Sequence, residues 1–172
     1  MADSTVAAPA RAPHRHDSRE VILFGGVYGA VLASSMVAAL TEFGHSTPAA
    51  RRYDALWVLF TGFASALAHG YAHYIAERGQ HRRWDVLRDL ADEWPLVAAV
   101  LPSVALLAAA GWGWLPANGV EYPAFGLNMA ILFVLGVITA RSAARNWPAA
   151  LLIGLVDALL GLVVVVANAL IK

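Results

Sequence analysis

Apolar residues in this chain gather into five long runs, at 21–42, 54–77, 95–114, 122–141 and 148–171, separated by short polar breaks. Each is about 20 residues or more, the length that crosses a ~30 Å hydrocarbon layer at ~1.5 Å per residue. Polar residues do not alternate with apolar ones inside the runs, so membrane strands are disfavoured. A helix pairs every backbone N–H and C=O within its own segment, as hydrocarbon requires. The pattern predicts an all-α membrane protein of five transmembrane helices in one domain, 19–172, preceded by an Ala/Pro/Arg/His-rich stretch, 1–18, read as a disordered cytoplasmic tail. The first apolar run is too long for the h-region of a signal peptide and has no cleavage-like end.

One break has a pattern of its own. Within 79–94, Trp84, Leu87, Leu90, Ala91 and Trp94 recur at helical spacing, with Asp85, Arg88, Asp89, Asp92 and Glu93 between them. This predicts a short amphipathic helix on the cytoplasmic surface between spans two and three. Its acidic residues Asp85, Asp89, Asp92 and Glu93 form a candidate metal-collecting face. Trp94-Pro95 then opens span three, and Pro102 is expected to kink it. Small residues four apart in spans one and two (Gly25, Gly29 and Ala33; Gly62, Ala66 and Gly70), and Ala150, Gly154, Asp157 and Gly161 along one broad face of span five, predict close packing of spans one, two and five.

Composition agrees with the pattern. Of 172 residues, 59% are hydrophobic and 14% charged, with a mean hydropathy of +0.60, well to the membrane side of a soluble domain. Lys+Arg and Asp+Glu are 12 each, so there is no basic field to attract nucleic acid. Cys is absent, which excludes disulfides, thiolate metal sites and cysteine nucleophiles. The basic residues are unevenly spread. Arg11, Arg15, Arg19, Arg78, Arg82, Arg83, Arg88, Arg141 and Arg145 fall on one side of the five-span topology, and Arg51, Arg52 and Lys172 on the other. That bias places the N-terminus inside and the C-terminus outside, in the cell (inner or plasma) membrane.

Three features inside the spans are costly in lipid. His69, His73 and Glu77 stand at i, i+4 and i+8 in span two, one row on a helix face. Two imidazoles and a carboxylate suit a divalent transition metal ion, bound above about pH 6.5 and lost as the imidazoles protonate. The same row could relay protons or be structural, and the three readings stay open. Asp157 is a lone carboxylate within Leu and Val, at ~2.5–3.5 kcal/mol on insertion scales, so it must face the bundle interior or carry a proton. Tyr28 lies beside the Gly25/Gly29 face of span one. His69, Tyr28 and Asp157 fall at a common depth of ~12–13 Å from the inner end, which permits a transport layer of Tyr28, His69, His73 and Asp157. No nucleophile elbow, P-loop or H-E-x-x-H motif is present, and the chain reads as a non-enzyme.

The residues Arg19-Glu20-Val21-Ile22-Leu23 followed by Tyr28-Gly29, the segment Ala64 to Gln80, and Phe133-Val134-Leu135-Gly136 with Arg141 resemble the vacuolar iron transporter family. The resemblance implies five spans, a cytoplasmic insert after span two, a homodimer and divalent-metal transport. The family's span-one Asp corresponds to Tyr28 and its span-two Met and Glu to His69 and His73. Its Glu-rich insert shortens to 79–94, so the implied site is a His-based replacement. Ala68-His69-Gly70-Tyr71-Ala72 and Ala91-Asp92-Glu93-Trp94-Pro95 resemble segments of small uncharacterised bacterial five-span integral membrane proteins, which imply no activity. The leading expectation is a transporter of a divalent transition metal ion or protons. A non-transporting scaffold or accessory protein and an ion channel are the alternatives.

The orientation is directly measurable. With no native Cys in the chain, a Gln80→Cys variant should resist a membrane-impermeant maleimide added outside intact cells, and Asn118→Cys should react. The reverse pattern would invert the topology.

Overall fold

The computed structural model describes residues 18–41, 47–76 and 91–170. Five long helices account for most of them: α1 (Ser18–Thr41), α2 (Pro48–Ala76), α3 (Trp94–Gly111), α4 (Glu121–Ser142) and α5 (Trp147–Leu170). No strand occurs among the described residues. All five helices are long and apolar enough to cross a membrane, and the chain reads as a multi-pass membrane protein. Of the 79–94 segment, only 91–94 are described; Ala91 and Asp92 are helical and exposed there. The 1–17 stretch lies outside the described residues.

α1 runs through the middle of the bundle and touches all four other helices. α2 packs chiefly on α3, and α5 chiefly on α4. The core gathers Ala33 and Val37 of α1, Ala55 and Val58 of α2, Val100, Leu107 and Ala110 of α3, and Val120 and Ala124 at the start of α4. Alanine and valine dominate because helices in lipid gain little from burying apolar surface as such. Dispersion between closely approaching backbones is what holds them.

The small-residue faces meet partners that sequence spacing had not paired. Those of α1 and α2 both receive α3, and that of α5 receives α4. A Cβ at Gly29 would lie 2.5 Å from the Leu96 carbonyl oxygen and 2.7 Å from the Ala99 Cβ; one at Gly25 would lie 3.0 Å from the Leu96 nitrogen. At Gly62 it would meet Val100 at 2.7 Å, and at Gly154 the Phe133 carbonyl oxygen at 2.6 Å. Spacing identifies a close-packing face but says nothing about which helix fills it.

α2 begins earlier than its apolar run. Thr47 accepts a hydrogen bond from the Ala50 N–H (3.2 Å) and Pro48 takes the first helical position, so the helix starts at 48 and includes Arg51. Arg51 is 3% exposed. Its guanidinium donates to Glu121 (2.9 Å), Asp54 (3.3 Å) and the Ala117 carbonyl oxygen (2.8 Å). This pins the 112–120 loop and the start of α4 to α2. A residue that looked like a loop charge is instead a buried clamp.

α3 carries Pro102 inside it, followed by Ser103. The Ser103 hydroxyl donates to Asn128 Oδ1 of α4 at 3.0 Å, with both residues fully buried. Asn128 Nδ2 has no partner. Ser34 donates to the Ala30 carbonyl oxygen one turn back (2.9 Å), a backbone bond rather than a nucleophile's setting.

The α1–α3 contact yields a clean pair of variants. Gly29→Ala should destabilise the protein by about 1–3 kcal/mol, because the methyl group meets backbone that cannot move aside. Gly126→Ala, where nothing lies within 4 Å, should be neutral or stabilising by less than about 1 kcal/mol. Thermal unfolding in detergent measures both, and equal melting temperatures would refute the contact.

Candidate metal centre

The centre forms where α1, α2 and α3 come together near the C-terminal end of α2. Gly25 and Gly29 seat α1 on Pro95, Leu96 and Ala99, which brings the N-terminus of α3 against the first half of α1. Gly62 seats α2 on Val100 of the same helix. His69 lies two turns further along α2 and His73 one turn beyond it. α2 and α3 thus deliver two imidazoles and the Glu93 carboxylate to one place.

His69 Nε2 and His73 Nε2 are 3.2 Å apart, and His69 Nε2 is 3.8 Å from Glu93 Oε1. The three ligand atoms all lie within 4.8 Å of one another. In a tetrahedral zinc site, metal–ligand bonds of ~2.0–2.2 Å put neighbouring ligand atoms about 3.3 Å apart, so modest side-chain movement would complete such a set. Without metal, the 3.2 Å contact is an N–H···N hydrogen bond in which one ring donates. Metal binding needs both Nε2 lone pairs, with each ring keeping its proton on Nδ1.

Glu93 is the buried member, at 8% exposure. It stands at the N-cap of α3 yet makes no side-chain capping bond, so its carboxylate is left for the imidazoles. Burial pushes its pKa above the ordinary 4.5; charge on His69 and then His73 pulls it back, and Asp92 pushes it up again. His73 is exposed and the His69 side chain is 28% exposed. The set is therefore closed on the α3 side and open outward, like metal sites that leave a coordination position for exchange.

Two rings of α1 hold His69 in place. Phe24 and Tyr28 lie nearly parallel to it, with centroids 5.3 and 6.2 Å away and 22° between planes in each case. His73 meets His69 edge-on, at 4.8 Å and 76°. Tyr28 thus reaches the site as an aromatic wall.

Of the residues singled out from sequence, Tyr28, His69 and His73 are together, and Glu93 joins them from the acidic face. Asp92 is exposed beside it. Glu77, Asp85 and Asp89 lie outside the described residues. Asp157 stands elsewhere, in the α4–α5 interface against Gly136. Equal depth along a helix does not make two residues neighbours across the bundle. Sequence spacing along one helix offered Glu77 as the carboxylate, whereas Glu93, 20 positions beyond His73, arrives by tertiary packing. Its signal was a carboxylate just before Trp-Pro that does not cap. The buried Arg51 clamp and the Ser103–Asn128 pair were also missed. Thr47-Pro48 before Arg51 and a lone amide within an apolar span were the available signs.

Glu93 ties this geometry to stability. A raised folded-state pKa means the fold favours the acid form. The stabilisation is fully present below about pH 4.5 and is lost as pH rises through the raised value. Glu93→Gln keeps the shape and removes the ionisation. In metal-free protein its melting temperature should therefore exceed that of wild type at pH 7, with the gap closing towards pH 4. An equal gap at both pH values would rule out the burial effect.

Comparison of the chain with protein-family models, with curated proteins and with solved structures finds no match to any of them.

Proposed function

We propose that this protein is a membrane transporter of a divalent transition metal ion, which it binds through His69, His73 and Glu93. The observation that carries the reading is the convergence of these three ligand atoms, from two helices, within 4.8 Å. Two imidazoles and one carboxylate form a borderline set suited to Zn²⁺, Co²⁺, Ni²⁺, Mn²⁺ or Fe²⁺ and poorly suited to soft monovalent ions. A buried Glu93 beside an exposed His73 gives cargo a way in and a charge to meet it. The arginine bias puts this end of the bundle, with Arg141 and Arg145, on the cytoplasmic side of the cell membrane. The cargo class agrees with the resemblance to vacuolar iron transporters.

Purified protein should bind Zn²⁺, Co²⁺ or Ni²⁺ in calorimetry. The His69→Ala/His73→Ala double variant should lose that binding, and Glu93→Gln should weaken it at least tenfold, or about 1.4 kcal/mol. Proteoliposomes should then show uptake of the bound metals in wild type and not in the double variant. The same heat in wild type and double variant would remove the site. Binding without flux would make the protein a metal-binding accessory.

A further inference from the structure

Asp157 takes no part in the metal centre. It lies ten residues after Trp147 and eleven before Asn168, the midpoint of the α5 span. α5 is the least buried of the five helices, and Leu155, Val156, Leu159 and Leu160 around Asp157 are exposed. Asp157 itself is half-buried. Its carboxyl lies over the bare Cα of Gly136, where any Cβ would collide with Asp157 Oδ2. On either side the seam is shut, by Gly154 on the Phe133 backbone and by Gly161 on Leu132. The carboxyl therefore occupies a fitted cradle between α4 and α5, at mid-depth and beside lipid.

Among the described residues, no hydrogen bond or ion pair reaches it. α5 packs on α4 and α1, whose titratable or charged side chains, where described, are Tyr28, Glu121, Tyr122 and Arg141. Tyr28 is stacked with Phe24 and His69. Glu121 binds Arg51. Arg141 donates to the Arg145 carbonyl oxygen and lies over the Trp147 ring. Tyr122 is exposed at the far end of α4. A carboxyl at bilayer mid-depth needs a cation or a proton. A hard metal cation would require several oxygen ligands, and the cradle offers one carboxyl over glycine Cα atoms.

We propose that Asp157, seated on Gly136, is a proton-binding site of the membrane interior, separate from the His69–His73–Glu93 centre and open sideways to lipid along the α4–α5 seam. The site is reachable by hydrophobic reagents that attack the carboxylic acid form. N,N′-dicyclohexylcarbodiimide partitions into lipid. The acid adds across one C=N bond: its oxygen bonds to the central carbon and its proton moves to nitrogen. An oxygen-to-nitrogen acyl shift then gives a stable N-acylurea that keeps every atom of both reactants.

The protein reconstituted in liposomes is treated with this reagent, digested, and read by mass spectrometry. The adduct is expected on the peptide bearing Asp157. It is expected to be absent from that peptide in Asp157→Asn, retained in His69→Ala/His73→Ala, and insensitive to added Na⁺. An Asp157 unlabelled in liposomes but labelled after unfolding in dodecyl sulfate would overturn the proposal. Protection by Na⁺ would overturn it in favour of a metal-cation site. Loss of the adduct in the folded histidine double variant would overturn the separation of the two sites.

Discussion

The contact between α1 and α3 at Gly25 and Gly29 is the constraint from which the rest of the arrangement follows. The bare Cα atoms of α1 lie there against the α3 backbone, with only the Cβ atoms of Pro95 and Ala99 beside them, and the Leu96 carbonyl oxygen fills the space a Cβ at Gly29 would need. In lipid such an approach is what makes helices associate, because apolar surface gains nothing by leaving hydrocarbon. It also fixes register. With α1 held on Pro95, Leu96 and Ala99, Phe24 and Tyr28 stack on His69 and Glu93 stands beside the imidazoles. A shift of α1 by one turn, ~5.4 Å, would take Phe24 and Tyr28 off His69. The chemistry thus depends on two residues that have no chemistry of their own.

Polar groups in the bundle are treated in three distinct ways. Arg51 is fully engaged by Glu121, Asp54 and the Ala117 carbonyl oxygen, and fastens the far end of the bundle. Ser103 and Asn128 satisfy each other in part and leave one amide nitrogen unpaired. Ser34 and Thr139 return their hydroxyls to their own helix backbones. Against these, the His69–His73–Glu93 group is set apart by having lone pairs to spare. Glu93 gives up the capping bond that its position invites, so helix stability there is traded for a carboxylate aimed at the imidazoles.

Five spans, their helical character and the faces suited to close packing were legible in the sequence, because run length and small-residue spacing are local properties. Lipid enforces them segment by segment: each span must satisfy its own backbone whatever its neighbours do. His69 and His73 were legible for the same reason, since four residues on one helix are one turn. The pairing of helices was not local. α3 has one glycine, Gly111 at its end, and its sequence points to prolines rather than to a close-packing face, yet it receives both α1 and α2. The α2 boundary was also misplaced, because Arg51 reads as a loop charge until Glu121, 70 positions away, is brought to it.

The candidate site divides along the same line. The sequence determined two imidazoles on one helix face and a carboxylate in the middle of an apolar run. Tertiary structure decided that the Glu93 carboxylate stands beside the two imidazoles and that Asp157 belongs to a different seam of the bundle. The reason is geometric. Position along a helix sets depth in the membrane, but lateral neighbourhood is set by which backbones can approach closest. That is decided at Gly25, Gly29, Gly62, Gly136 and Gly154 together, and no single segment contains the answer.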